Sequence, residues 1–122
     1  MKRKTWFKEK VLQGTKDGRT IGFPTLNLSP KKFIGQFKEG VYTSQVKFQK
    51  KKYLGILYFG PRLVKGETHP VLEIRVLGFN KEIYGETIEF SFGKFIRGVM
   101  NFSSMDELKK QIKKDILYSN NE

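Results

Sequence analysis

A chain of 122 residues has room for one domain with a modest core, and 38% apolar residues, with eleven Phe and five Tyr, are too many for a disordered polymer. It contains no cysteine, which excludes disulfides, thiolate zinc sites and cysteine nucleophiles and makes a reducing cytoplasm the expected setting. The formal net charge of +12 attracts acidic ligands. Lysines outnumber arginines, however, and are dispersed at 31–32, 50–52, 109–110 and 113–114, which is the pattern of a solvated surface and not of a nucleic-acid reading head.

Met1 to Lys10 is charged and lacks the apolar run of a signal peptide, and no segment approaches membrane-spanning length. A soluble, intracellular protein is expected. Val11 to Thr15 reads as a short strand leading into Gly14 to Asn27 (GTKDGRTIGFPTLN), a stretch with three glycines, a proline and two cations. Such a loop can turn backbone N–H groups toward an anion, with Lys16 and Arg19 adding charge. Thr25 and Asn27, two apart on extended chain, can point neutral oxygens the same way. Neutral ligands of this kind hold Mg²⁺ only when phosphates supply the anionic oxygens. An ordinary turn between strands would also explain the glycines and the proline.

Gly40 to Phe48 alternates, with Tyr42, Ser44, Val46 and Phe48 on the expected core face. Lys50 to Lys52 is the expected turn, and Tyr53 to Phe59 returns as a largely apolar strand that Gly60-Pro61 ends. In Val71 to Leu77 the residues Leu72, Ile74 and Val76 share one face and Glu73 lies on the other. A carboxylate there either points into a site, where it can take a proton from a substrate hydroxyl, or pairs with Arg75 or a lysine at the surface. Ile83-Tyr84-Gly85 reads as a turn, and Glu86 to Phe92 as a further alternating strand. His69 sits in a Gly/Pro loop without a triad partner and reads as a surface residue. Arg97, between Phe95 and Gly98, can clamp a phosphate or a ring, or make a surface ion pair. The period then changes: Ser104 and Glu107 form a capping box, and Met105, Leu108, Ile112 and Ile116 follow helical spacing. Short strands with turn signals at this spacing argue for a closed or nearly closed antiparallel barrel, with the helix packed on it.

Gly18 to Asn27 (GRTIGFPTLN), Gly40-Val-Tyr42, Leu72-Glu-Ile-Arg75 through Phe79, Ile83-Tyr84-Gly85, Ile96-Arg97, Phe102 and the terminal helix, in that order, resemble the riboflavin kinase family. The likeness is closest to the kinase module at the C-terminus of bacterial bifunctional flavokinase/FAD synthetases. It runs from about Val11 to Ile116 and implies one riboflavin-kinase-like domain over residues 1–122. The implied fold is mainly β, a six-stranded antiparallel Greek-key barrel with a C-terminal amphipathic helix. The implied activity is transfer of the γ-phosphate of ATP to the 5′-hydroxyl of riboflavin, giving FMN, with Mg²⁺ accompanying the ATP.

By the same resemblance Gly14, Arg19 and Thr25 line the nucleotide site, Thr25 and Asn27 hold Mg²⁺, Glu73 is the general base and Arg97 belongs to the flavin loop. A cytoplasmic monomer acting on riboflavin and ATP is expected, with no membrane partner and with nucleic acid the less favoured ligand. The chain is either a complete monofunctional kinase or an excised module of a bifunctional protein. It departs from the family where Val99 replaces a glutamate, Arg75 replaces a histidine, and Tyr58 to Leu63 (YFGPRL) replaces an Asn-x-Gly and Arg-Pro-Thr segment. Those departures leave two alternatives open: a non-catalytic flavin- or nucleotide-binding module of the same fold, or a basic single-strand-binding barrel.

Overall fold

Alternation of period two dictates the architecture. The computed structural model describes residues 5–12, 25–61, 68–79, 81–99 and 105–120, so Gly14, Arg19, most of the glycine-rich loop and the Ser104 cap lie outside the described residues. Within them run β1 (Phe7–Lys10), β2 (Thr25–Leu28), β3 (Gly40–Phe48), β4 (Lys51–Pro61), β5 (Pro70–Val76), β6 (Thr87–Phe90), β7 (Phe95–Arg97) and a helix, α1 (Met105–Asn120). The main sheet has the order β1-β6-β3-β4-β5-β2, all pairs antiparallel, and β7 adds to the far side of β3 beyond β6. The sheet curls until its ends meet. Val11, just past β1, exchanges hydrogen bonds with the β6 side, and the next residue, Leu12, donates to the Asn27 carbonyl of β2 at 2.7 Å.

One face of every strand supplies the core. Leu26 and Leu28 of β2, Leu57 and Phe59 of β4, Leu72, Ile74 and Val76 of β5, and Ile88 and Phe90 of β6 are buried inside the curl. One end is filled by aromatic rings: Phe7, Phe33 and Phe90 pack edge-on or tilted, and Phe37 stacks on Phe92 at 3.9 Å. Tyr42 belongs to this core, its hydroxyl donating to the Lys38 carbonyl at 2.5 Å, and burial raises its pKa above the ordinary phenol value.

β3 has the bounds its alternation predicts, but the lysine run does not make the turn that follows it. Gln49 and Lys50 occupy the turn with φ of 50° and 67°, and Lys51 and Lys52 already belong to β4. The two positive φ values match the twist of a two-residue hairpin. β1 ends at Lys10, before the strand expected over Val11 to Thr15, of which Leu12 makes an isolated bridge and 13–15 lie outside the described residues; neither β1 nor β7 was anticipated. Gly40 is required where β7 crosses, because a Cβ there would lie 2.5 Å from the Arg97 carbonyl. The helix packs against β4 and buries Ile112 and Asp115.

Candidate functional site

Residues that face each other across antiparallel strands point to the same side of the sheet. Asn27 of β2 pairs with Glu73 of β5, Glu73 with Tyr58 of β4, Tyr58 with Val41 of β3, and Val41 with Arg97 of β7. These registers line up one row across five strands on the outer face of the curl. Thr25 belongs to the neighbouring row, where it pairs with Arg75, and Arg75 in turn with Ile56. Sequence-distant residues singled out for chemistry thus converge: Thr25, Asn27 and Glu73 are within one inter-strand step of one another. Strands lie about 4.8 Å apart, so Glu73 and Arg97 are separated by three steps, about 14 Å along the sheet.

Local sequence explains why these side chains face outward. On β2 the apolar Leu26 and Leu28 turn into the core and force Thr25 and Asn27 out, and on β5 Leu72, Ile74 and Val76 do the same for Glu73 and Arg75. All four outward residues are half-buried. The donor set at this corner is two neutral oxygens and one carboxylate. Among the described residues no three His, Asp or Glu side chains cluster as a metal site would. Such a set suits a hard cation that arrives with phosphate oxygens and keeps part of its own shell.

Arg97 stands at the far end of the row and is committed to a partner. Its Nη2 and Nε donate to Asp115 Oδ2 at 3.0 Å and Oδ1 at 3.3 Å, and its Nη1 donates to the Gly98 carbonyl at 3.0 Å. Gln111 adds a bond to Asp115 Oδ1 at 3.0 Å. With side-chain exposures of 16% for Arg97 and 3% for Asp115, this forked pair is largely out of water and pins the helix to β7. Beside it Val99 lies over Gly60, so close that a Cβ on Gly60 would sit 2.7 Å from Val99 Cγ2. His69 is exposed, as its loop context suggests.

Two members of the site escaped sequence reasoning. Tyr58, which appears in the sequence only as part of an atypical segment, is the immediate neighbour of Glu73 in the row, and its hydroxyl donates to the Pro61 carbonyl. Asp115 left a readable signal: it falls three residues after Ile112, on the apolar stripe of the helix, where a carboxylate needs a buried cation.

The family model described as Flavokinase, riboflavin kinase, matches residues 1–121. A bifunctional riboflavin kinase/FMN adenylyltransferase of Buchnera aphidicola is 40% identical over 110 residues, which cover 88% of this chain and 35% of that protein. Its counterpart in Haemophilus influenzae is 36% identical over 108 residues, with the same two coverages. The chain therefore spans about a third of the length of these relatives. Among solved structures, a Streptococcus pneumoniae protein described as a macrolide-efflux protein superposes with a TM-score of 0.80 at 30% identity, over 98% of this chain and 39% of that one. Among the described residues here, no helix is long and apolar enough to cross a membrane. Riboflavin kinase of Trypanosoma brucei superposes with a TM-score of 0.65 at 18% identity, over 95% of this chain and 77% of that one, a likeness of fold alone.

Proposed function

The chain belongs to the riboflavin kinase family, and from that premise we propose that it transfers the γ-phosphate of Mg-ATP to the 5′-hydroxyl of riboflavin, giving FMN. The observation that carries this reading is the pairing of Asn27 with Glu73, which sets a carboxylate one strand from neutral oxygens fit to share a phosphate-bound cation. Thr25 and Asn27 would hold Mg²⁺, and Gly14, Arg19 and Thr25 the nucleotide. The ion, when bound, offsets charge on the transferring phosphoryl group.

Glu73 orients the 5′-hydroxyl and accepts its proton as the oxygen attacks the γ-phosphorus. Tyr58 closes one side of that carboxylate, and the half-burial of the row limits water, which would compete with the hydroxyl for the phosphoryl group. Arg97 serves the flavin end from its place on β7, where Asp115 of the helix orients it. Residues 1–122 act in this reading as one unit, a cytoplasmic monomer.

The test is FMN formation from riboflavin and Mg-ATP, resolved by chromatography, for the parent protein and for Glu73→Gln. The expected outcome is turnover by the parent and a kcat lower by about 10²–10⁴ in the variant, the usual worth of a general base. Folded parent protein that binds flavin and nucleotide yet makes no FMN would identify a non-catalytic binding module instead.

A further inference from the structure

The lysines that look scattered in the sequence are gathered by the fold at the end of the sheet remote from the site. Lys8 of β1 pairs with Glu89 of β6, Glu89 with Lys47 of β3, and Lys47 with Lys52 of β4, which makes a second outward row, three lysines around one glutamate. Lys10 lies outward on β1, and Lys50 and Lys51 cap the hairpin beside it, all exposed. Trp6, just before β1, is the hub: the Lys47 ammonium sits 3.9 Å from the centre of its ring and that of Lys52 6.0 Å away. Leu54, next outward on β4 after Lys52, is 44% exposed. Lys47 lies six positions along β3 from Val41 in the catalytic row, about 20 Å of strand.

We propose that this face, built from Trp6, Lys8, Lys47, Lys50 and Lys52, is a docking surface for single-stranded nucleic acid, independent of the phosphotransfer site. Two features carry the proposal. The first is charge complementarity: ammonium groups on three strands outnumber the one carboxylate of the row, which suits a chain of phosphates, and the half-buried indole with exposed Leu54 offers apolar contact to unpaired bases. The second is backbone strain kept at the tip. Gln49 and Lys50 hold positive φ in a turn for which Asn-Gly is the unstrained choice, and the strained sequence places another cation on the patch.

Trp6 is the single tryptophan of the chain, so its emission reports on this face alone. Titrating the full chain, without flavin, with a fluorescein-labelled 15-mer of oligouridylate should change both tryptophan emission and label anisotropy at 50 mM salt. If about four lysines each meet a phosphate, the slope of log affinity against log salt is near −3, so binding weakens roughly fifty-fold between 50 and 200 mM. The triple variant Lys47→Glu, Lys50→Glu, Lys52→Glu should lose about ten-fold or more and flatten that slope, with FMN formation unchanged. The equally charged control Lys110→Glu, Lys113→Glu, Lys114→Glu on the helix should bind like the parent.

Absence of binding at 50 mM salt, or equal loss in the hairpin and helix variants, overturns the proposal. So does tight binding to vesicles of 30% phosphatidylserine in phosphatidylcholine by a protein that ignores the oligonucleotide. None of these outcomes touches the kinase assay, so the two readings fail separately.

Discussion

The two ends of the β3–β4 pair share strands, alternation and outward-facing polar residues, yet treat charge in opposite ways. At the Val41–Tyr58 end the helix covers the sheet, and the charges there, Arg97 and Asp115, are forked, hydrogen-bonded and largely dry. At the Lys47–Lys52 end nothing described covers the sheet, and like charges sit side by side with an indole between them. What covers a strand face decides what its charges are worth. A dry pair is costly to break, whereas a wet row costs little in stability and is free to attract a partner.

Substitutions at three sites test that contrast, in descending order of effect. Asp115→Ala leaves Arg97 half-enclosed without its carboxylate and should lower stability by about 3–5 kcal/mol in urea unfolding, whereas Arg97→Met with Asp115→Leu should recover most of it. If the single variant unfolds like the parent, the helix is not held by this pair. At the other end, Gln49→Asn with Lys50→Gly relieves two positive-φ side chains and should stabilise by about 1 kcal/mol. A loss of stability there would mean that the turn is not strained. Lys52→Gln should shift the unfolding free energy by no more than about 0.5 kcal/mol at either low or high salt, as exposed charges do. A large, salt-sensitive change would show that the wet row is a structural element after all.

Much of this was legible in the sequence wherever one strand's own pattern suffices. The bounds of β3, the core face Leu72-Ile74-Val76, the Ile83–Gly85 turn with its Glu86 N–H to Ile83 carbonyl bond, and the outward Thr25, Asn27 and Glu73 all follow from period two and turn chemistry. Elements whose pattern is disguised were missed. In β1 the inward positions are Phe7 and Glu9, and the carboxylate of Glu9 is tolerated only because Lys32 meets it at 3.0 Å, so the segment reads as a charged tail. β7 has three residues, too few to show a period. The row itself was invisible because it is a product of long-range register. Asn27 and Glu73 lie 46 positions apart in the chain, and only the joint pairing of β2, β5 and β4 sets them and Tyr58 side by side. The resemblance to riboflavin kinases supplied from ordered motifs what periodicity could not.

Among the described residues the ends of the curl are fastened by the bridge in which Leu12 donates to the Asn27 carbonyl. The residue proposed to face the cation is therefore also the clasp of the ring, one by its side chain and the other by its backbone. Opening of that bridge would part β2 from Leu12 and leave Asn27 paired with Glu73 on β5, so the clasp can loosen without dispersing the donor set. Whatever orders the Asn27 side chain steadies β2 on that edge as well, so substrate occupancy and the closure of the ring are linked through one residue.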